Sequence, residues 1–237
     1  MGSTLVLGTS GGAGTTTTTV GLANVTARQG LCAVAVDATV GGGDLVERAA
    51  DGTVRPTTVE SGYIDSFMSV ASTGAQVLGR AWPQASEPDY DRLDWYLRSR
   101  TDARFYDLGH TAFGRHSAHP LRSQPSVALV LVVQARRDAV HRTRTALQSI
   151  ALTAGRKVLS RTTVVLTHQH PGVNLLDAGH FRHCLDDVVF AVDEIPYDSH
   201  LATGWTVTAS ALEPTTTQAF ERLRATTLRS TSGTLSA

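Results

Sequence analysis

Short continuous apolar runs alternate along this chain with longer stretches in which apolar residues recur every three or four positions. Thr4–Leu7, Leu31–Val36, Ala103–Leu108, Val127–Val133, Arg161–Thr167 and Val188–Val192 read as strands. Their apolar residues run on without in–out alternation, as suits parallel strands covered on both faces. Helical spacing extends from about Thr15 to Gln29, Asp89 to Arg100, Arg136 to Ala154, Leu175 to Cys184 and Thr215 to Leu228. A short helix is expected to begin at Asp44-Leu45-Val46. Tyr63, Ile64, Phe67 and Met68 fit one helical stripe within Val59–Ala71, Ala75–Leu78 reads as a short strand and Trp82–Pro88 as a loop. Alternating strands and helices without internal repeats predict a three-layer α/β fold. Its sheet is doubly wound and mainly parallel, with helices on both faces and a ligand site at the strands' carboxyl ends. Residues 1–228 form one domain in this reading, and the serine- and threonine-rich tail 229–237 is expected to be disordered.

The chemistry concentrates at the first strand–helix junction. The first apolar run ends in Gly8-Thr9-Ser10-Gly11-Gly12-Ala13-Gly14, and a threonine run, Thr15–Thr19, opens the helix. Glycines let successive backbone N–H groups converge on one concavity that suits phosphate oxygens, and the helix adds the positive end of its dipole. Such a helix can place a hydroxyl of its first turn on a magnesium ion. An acid ending a neighbouring strand can then hold that ion's water shell. Asp37 ends the second apolar run and Asp107 the run ARFYD, before Leu108-Gly109. An acid at a strand end also serves as a turn or helix cap, which is the plainer account of Asp107 taken alone.

The frame Ser10-Gly11-Gly12-Ala13-Gly14-Thr15-Thr16 resembles the deviant Walker A loop of the ParA/MinD ATPases, Lys-Gly-Gly-x-Gly-Lys-Ser/Thr. The resemblance implies that Ser10, Gly11, Gly12, Ala13, Gly14, Thr15, Thr16 and Thr17 contact ATP or ADP, and that Thr16, Asp37 and Asp107 hold magnesium. Ile195-Pro196-Tyr197-Asp198 is similar to a segment that borders the adenine in MinD-like proteins, which adds Pro196, Tyr197 and Asp198 to the expected nucleotide contacts. The sequence departs from the family where the charges belong. Ser10 and Thr15 replace the two lysines, and Thr39 replaces the second acid of the Asp-x-Asp that ends the second strand. Thr167 and His168 stand where an asparagine often reads the base. Lys157 is the only lysine of the chain.

Phosphoryl transfer rests on positioning and charge stabilisation, so the loss of two cations and an acid predicts a degenerate, non-hydrolysing relative. The resemblance implies a positioning or scaffold component acting through a dimer or a partner ATPase, in partitioning, septum placement, or secretion or pilus localisation. Septum-site and pilus-locus proteins are the nearest branches. Two alternatives stay open. One is an active hydrolase using an arginine such as Arg136 or Arg137; the other is a DNA-binding or pure interaction module with an empty pocket.

Composition narrows the field. The 237 residues carry 21 Lys plus Arg and 21 Asp plus Glu, a formal net charge of zero, which argues against a binder of nucleic acid driven by bulk charge. The arginine-rich stretch Arg136, Arg137, Arg142 and Arg144 reads first as a solvated helix face and only second as a DNA contact. Cys32, placed in an apolar strand, and Cys184 form no C-x-x-C pair and read as reduced thiols. His168-x-His170 and His180-x-x-His183-Cys184 match no strong zinc spacing. No signal peptide precedes the first strand, no run reaches membrane-spanning length, and the last helix lacks a dense apolar and basic face, so a cytoplasmic protein with at most peripheral membrane contact is expected.

Overall fold

A computed structural model describes residues 2–39, 43–55, 64, 68–79, 90–110, 120–123, 127–172 and 176–232. Among these residues, eight strands form a single sheet: β1 Ser3–Gly8, β2 Ala33–Asp37, β3 Met68–Val70, β4 Gln76–Leu78, β5 Ala103–Asp107, β6 Ala128–Gln134, β7 Thr162–Thr167 and β8 Ala191–Ile195. Their spatial order is β3-β4-β2-β5-β1-β6-β7-β8, and every neighbouring pair is parallel except β3–β4. The predicted doubly wound sheet is therefore present. β1 lies between β5 and β6, so the chain leaves it in one direction to build β2 and in the other to build β6. The crevice at that reversal opens at the strands' carboxyl ends.

The helices are α1 Thr15–Arg28, α2 Leu45–Ala49, α3 Tyr90–Arg98, α4 Pro120–Ser123, α5 Ala139–Ala154, α6 Ala178–His183, α7 Ser199–Ala202 and α8 Pro214–Ser232. Alternate strand residues feed two cores. Leu5, Leu7, Leu129, Leu131 and Val164 pack with Leu93 and Leu97 of α3, Leu147 and Ile150 of α5, and Phe181 of α6. Val6, Ala35, Val130, Val132 and Val165 pack with Val20 and Leu22 of α1, Leu45 and Val46 of α2, and Phe220 and Leu223 of α8. Residues entirely buried on both faces explain the unbroken apolar runs of β6 and β7.

α1 is the inner helix, buried on most of its circumference. Threonine is a poor helix former, but here the Thr19 and Thr26 hydroxyls donate back to the carbonyls of Thr15 and Leu22, at 3.0 and 2.7 Å. Tertiary burial outweighs the intrinsic preference. Gly21 lets the Phe220 ring lie directly on the α1 backbone, where a Cβ would collide with it.

Several boundaries differ from the sequence reading. β2 begins at Ala33, so Cys32 is exposed ahead of the strand rather than buried within it. Most of the stripe expected within Val59–Ala71 lies outside the described residues, as does the 82–88 loop. Its end, Met68–Val70, is a strand, because antiparallel pairing with β4 gives Met68 a buried place at the sheet edge. α5 begins at Ala139, which leaves Arg136 and Arg137 in the connection before it. The last strand is Ala191–Ile195 rather than Val188–Val192. Edge strand β8 is half-exposed and tolerates Asp193 and Glu194, while the more apolar Val189 is buried in the turn before it. α8 continues past Leu228 to Ser232, with Ser230 buried, so residues 229–232 of the expected tail are helical. No helix among the described residues is long and apolar enough to cross a membrane.

Candidate functional site

Every residue singled out around the glycine loop comes to the carboxyl end of the sheet. The loop's root is fixed by its neighbours: Gly8 N–H donates to Gly109 O at 2.9 Å and Thr9 N–H to Val132 O at 3.0 Å. Gly12 and Gly14 have φ of +71° and +94°, a region that side chains with a Cβ avoid. Gly14 is the residue before α1, the helix has no side-chain N-cap, and its first turn holds no acid. The helix start thus presents its N–H groups and dipole without an internal anion. Two side chains from the next strand ends brace the loop's carbonyls: Thr167 Oγ1 donates to Ala13 O at 2.7 Å, and Gln169 Nε2 donates to Gly12 O. Gln134, ending β6, donates in turn to Gln169.

Ser10, Gly11, Gly12, Ala13, Gly14, Thr15, Thr16 and Thr17 all line one cavity of about 700 Å³. Pro196 and Asp198 line its far wall, whereas Tyr197 is not among its lining residues. The Asp198 carboxylate is buried and occupied in shaping that wall: it accepts from the N–H groups of His200, Leu201 and Glu213 at 2.9, 3.3 and 2.9 Å. Its part is structural, capping the one-turn α7. Thr15, at the universal lysine's position, is buried against the Cα of Gly8, so the loop carries no projecting cation there.

The acids meet as the topology requires. Asp37 and Asp107 are directly paired in the β2–β5 register, and both are buried. The Thr16 hydroxyl hydrogen-bonds the Asp107 carboxylate, as does Gly109 N–H, at 2.9 Å to Oδ1. The other Asp107 oxygen, Oδ2, is buried with no hydrogen-bond partner. Burial is the main reason its pKa is pushed up to about 6; the hydrogen bonds from Thr16 and Gly109 pull down, and the charges of Asp37 and Asp44 push up. Thr39, in place of the family's second acid, donates through both N–H and Oγ1 to Asp37 Oδ1, at 2.9 and 2.6 Å. Gly43 passes so near that a Cβ there would fall 2.5 Å from Asp37 Oδ2. An orphaned buried carboxylate oxygen, a second buried acid beside it and a hydroxyl on the first turn of α1 fit a hydrated divalent cation such as magnesium. Thr16, Asp37 and Asp107 would hold it, and it would neutralise charge at the phosphates.

The structure also brings in residues that motif reading passed over. His110, three positions beyond Asp107, lays its ring against Gly11. Arg48 of α2 reaches the cavity wall and donates to Thr17 Oγ1 at 2.9 Å. Only its place four residues after Asp44, on the helix that follows the Asp37 strand, signals this in the sequence. Behind Ser10 and Gly11, a smaller cavity of about 240 Å³ is lined by Gln134, Arg136, Asp138 and Arg142; Arg137 does not line it. Arg142 is held by Asp138 at 2.5 Å. His168 meets Glu194 at 2.7 Å, and Arg182 binds the same carboxylate at 2.9 Å. His180 and Cys184 touch at 3.5 Å, but no three His, Cys, Asp or Glu side chains gather into a metal site among the described residues. Lys157 lies in a 3-10 turn, Arg156–Arg161, that leads into the amino end of β7, whereas the loop sits at the carboxyl end of the parallel strands.

No family model matches the chain. EspI, an ESX-1 secretion-associated protein of Mycobacterium tuberculosis, is 28% identical over 223 residues. That alignment covers 88% of this chain but 34% of EspI, so the chain spans about a third of its curated relative's length. Among solved structures, the cell division ATPase MinD of Pyrococcus furiosus superposes with a TM-score of 0.71 at 16% identity, covering 97% of this chain and 99% of that one. A ParA family ATPase from Chlorobium tepidum gives 0.69 at 15% identity, over 94% and 97%. The septum site-determining protein MinD of Pyrococcus horikoshii, complexed with Mg-ADP, gives 0.66 at 15% identity, over 94% of each chain. Likeness at these identities speaks to architecture, and this chain has the α/β fold of the ParA and MinD P-loop ATPases.

Proposed function

We propose that the chain is a ParA/MinD-like protein that binds ATP or ADP with magnesium and does not hydrolyse it. One observation carries this reading: the cradle and its paired acids are built, while the loop's side chains are neutral. Gly12 and Gly14 adopt positive φ, Thr16 meets Asp107, and Ser10 and Thr15 hold the two lysine positions. Binding needs converging N–H groups and a cation site, both available here. Transfer needs charge placed on the moving phosphoryl group, and that is what the loop has lost. The acid replaced by Thr39 is spent in the same direction, because the threonine hydrogen-bonds Asp37 instead of adding a second carboxylate.

Such a protein acts as a positioning or scaffold component, through a homodimer or a partner ATPase. EspI is named for secretion, which favours a secretion-linked setting over septum placement or partitioning. In a lysine-dependent relative, ATP controls pairing across the dimer; with Ser10 in that place, any dimer of this chain forms without such control. Residues 1–228 would act as one domain in the cytoplasm, and zero net charge leaves DNA an unfavoured partner. Phosphate release from Mg-ATP and Mg-GTP tests the reading. The expected rate is indistinguishable from the protein-free blank; turnover abolished by Gly14→Val would overturn it. An arginine-assisted hydrolase is the second reading, favoured by Arg136 at the small cavity behind Ser10. Turnover lost in Arg136→Gln would select it.

A further inference from the structure

A pocket for a polyphosphate that has lost its loop lysines still needs positive charge. Among the described residues, Arg48 is the one lysine or arginine that lines the large cavity. It is half-buried, and its hydrogen bonds go to neutral oxygens. Nη1 donates to Trp205 O at 2.5 Å and Nη2 to Thr17 Oγ1 at 2.9 Å. No carboxylate lies within ion-pair distance of it among the described residues. Asp44 acts on it only at longer range; burial pulls its pKa down and Asp44 opposes that. A guanidinium has five donors, and only two are used in these bonds. A half-buried cation without a contacting anion is poorly compensated until an anionic ligand arrives.

Its position also suits a phosphate contact. Thr17 follows Thr16 on the first turn of α1, and Thr16 touches Asp107. The guanidinium therefore meets the first turn of α1 one residue along from the candidate magnesium ligand Thr16, in the cavity that the glycine loop, Pro196 and Asp198 also line. It is also held from behind. Arg48 O accepts from Val207 N–H at 2.7 Å, and Glu47 O accepts from Thr206 Oγ1 at 2.8 Å. These bonds fix α2 against the 205–207 segment, so the side chain is presented from a braced backbone and loses little freedom on binding.

We propose that Arg48 is the phosphate-binding cation of this pocket, supplied from α2 instead of from the glycine loop, and that it pairs with a nucleoside di- or triphosphate beside Thr17. The proposal rests on the nucleotide-binding reading above. It gives the pocket a preference for phosphorylated over unphosphorylated nucleoside that the neutral loop alone provides only through N–H groups.

Titration calorimetry of Mg-ADP, Mg-ATP and adenosine against the wild-type chain, Arg48→Gln and Arg48→Lys tests it, with thermal melts to verify folding. The expected result is at least a ~10-fold loss of Mg-ADP affinity in Arg48→Gln, equivalent to ~1.4 kcal/mol. Adenosine affinity stays unchanged, and the salt dependence of Mg-ADP binding becomes shallower. Arg48→Lys recovers part of the loss. Mg-ADP binding by Arg48→Gln within twofold of wild type would overturn the proposal and leave the nucleotide reading standing. Equal losses for Mg-ADP and adenosine would also overturn it, since a phosphate contact cannot weaken a ligand without phosphate. Wild-type protein that binds none of the three would remove the nucleotide reading itself, and the proposal with it.

Discussion

Replacing Asp107 by asparagine should make the metal-free protein more stable at alkaline pH, although it damages the site. The Asp107 carboxyl is buried and titrates at about 6 against an ordinary 3.8. At ~1.36 kcal/mol per pH unit, that difference is roughly 3 kcal/mol of folding free energy, forfeited when the group ionises inside the protein. The sign follows from proton binding. The folded state holds this proton more tightly than the unfolded chain, so no stability is lost where both states are protonated. The loss grows as pH rises from the unfolded value through about 6 and is complete above it. Asparagine keeps an oxygen for Thr16 and Gly109 N–H and turns the orphaned Oδ2 into an amide that can donate toward Asp37. Allowing for imperfect geometry, Asp107→Asn gains ~1–3 kcal/mol at about pH 8 and close to nothing below about pH 3. Urea unfolding with a chelator present measures both. Added magnesium should stabilise the wild type at alkaline pH and leave the variant unmoved, because the cation offsets a charge the variant lacks. A variant as stable as wild type, or less so, at alkaline pH would refute the reasoning that Asp107 is a charge kept for a ligand at the expense of stability.

Two further outcomes concern the frame that holds the site. Arg104 and Asp94 form a buried pair at 2.8 Å, and Asp94 also accepts from Ser3 at 2.6 Å and Tyr106 at 2.8 Å. Burial pushes the Asp94 carboxyl up, but the hydrogen bonds from Ser3, Tyr106 and Arg98 and the Arg104 charge hold it below its ordinary value. Arg104→Met leaves that acid buried with the largely exposed Arg98, at 2.9 Å, as its remaining charged partner, and should cost ~2–3 kcal/mol in urea unfolding at neutral pH. In the wild type, the Asp94 contribution is present above the ordinary carboxylate range and is lost as pH falls through the lowered value. Gly21→Ala drives a methyl into the Phe220 ring and should cost ~1–3 kcal/mol by prising α8 from α1, measurable as a lower thermal midpoint.

Much of the fold was legible because its signal is physical and local. β6 and β7 are buried on both faces, and their sequences ALVLVVQ and TTVVLT admit few other readings. The glycine loop was legible because only glycine tolerates the φ of residues 12 and 14. β3 was not, since three residues at an edge carry no periodicity and their pairing with β4 is a tertiary fact. β8 was displaced by three residues because a half-exposed edge strand carrying Asp193 and Glu194 reads less apolar than the Val188-Val189-Phe190 run preceding it, of which only Val189 is buried. The site divides in the same way. Thr16, Asp37 and Asp107 could be assigned from strand ends and the first helical turn. Arg48 and Gln169 act through contacts that follow from the chain's path between elements, so spacing alone does not reveal them; the Asp-x-Asp spacing points to Thr39, but its bonds to Asp37 are a structural finding.

In the proposed function, a loop without lysines still holds a nucleotide through its backbone and a magnesium site. Calorimetric titration of Mg-ATP, Mg-ADP and Mg-GTP against the wild-type chain and Gly14→Val tests it most directly. Gly14 sits at φ +94°, and its ideal Cβ would lie 3.6 Å from the Thr167 side chain, so valine there strains the loop without removing any charge. The expected result is saturable, magnesium-dependent binding by the wild type that is lost in Gly14→Val. Absence of binding at millimolar nucleotide, or binding that survives Gly14→Val unchanged, would contradict it.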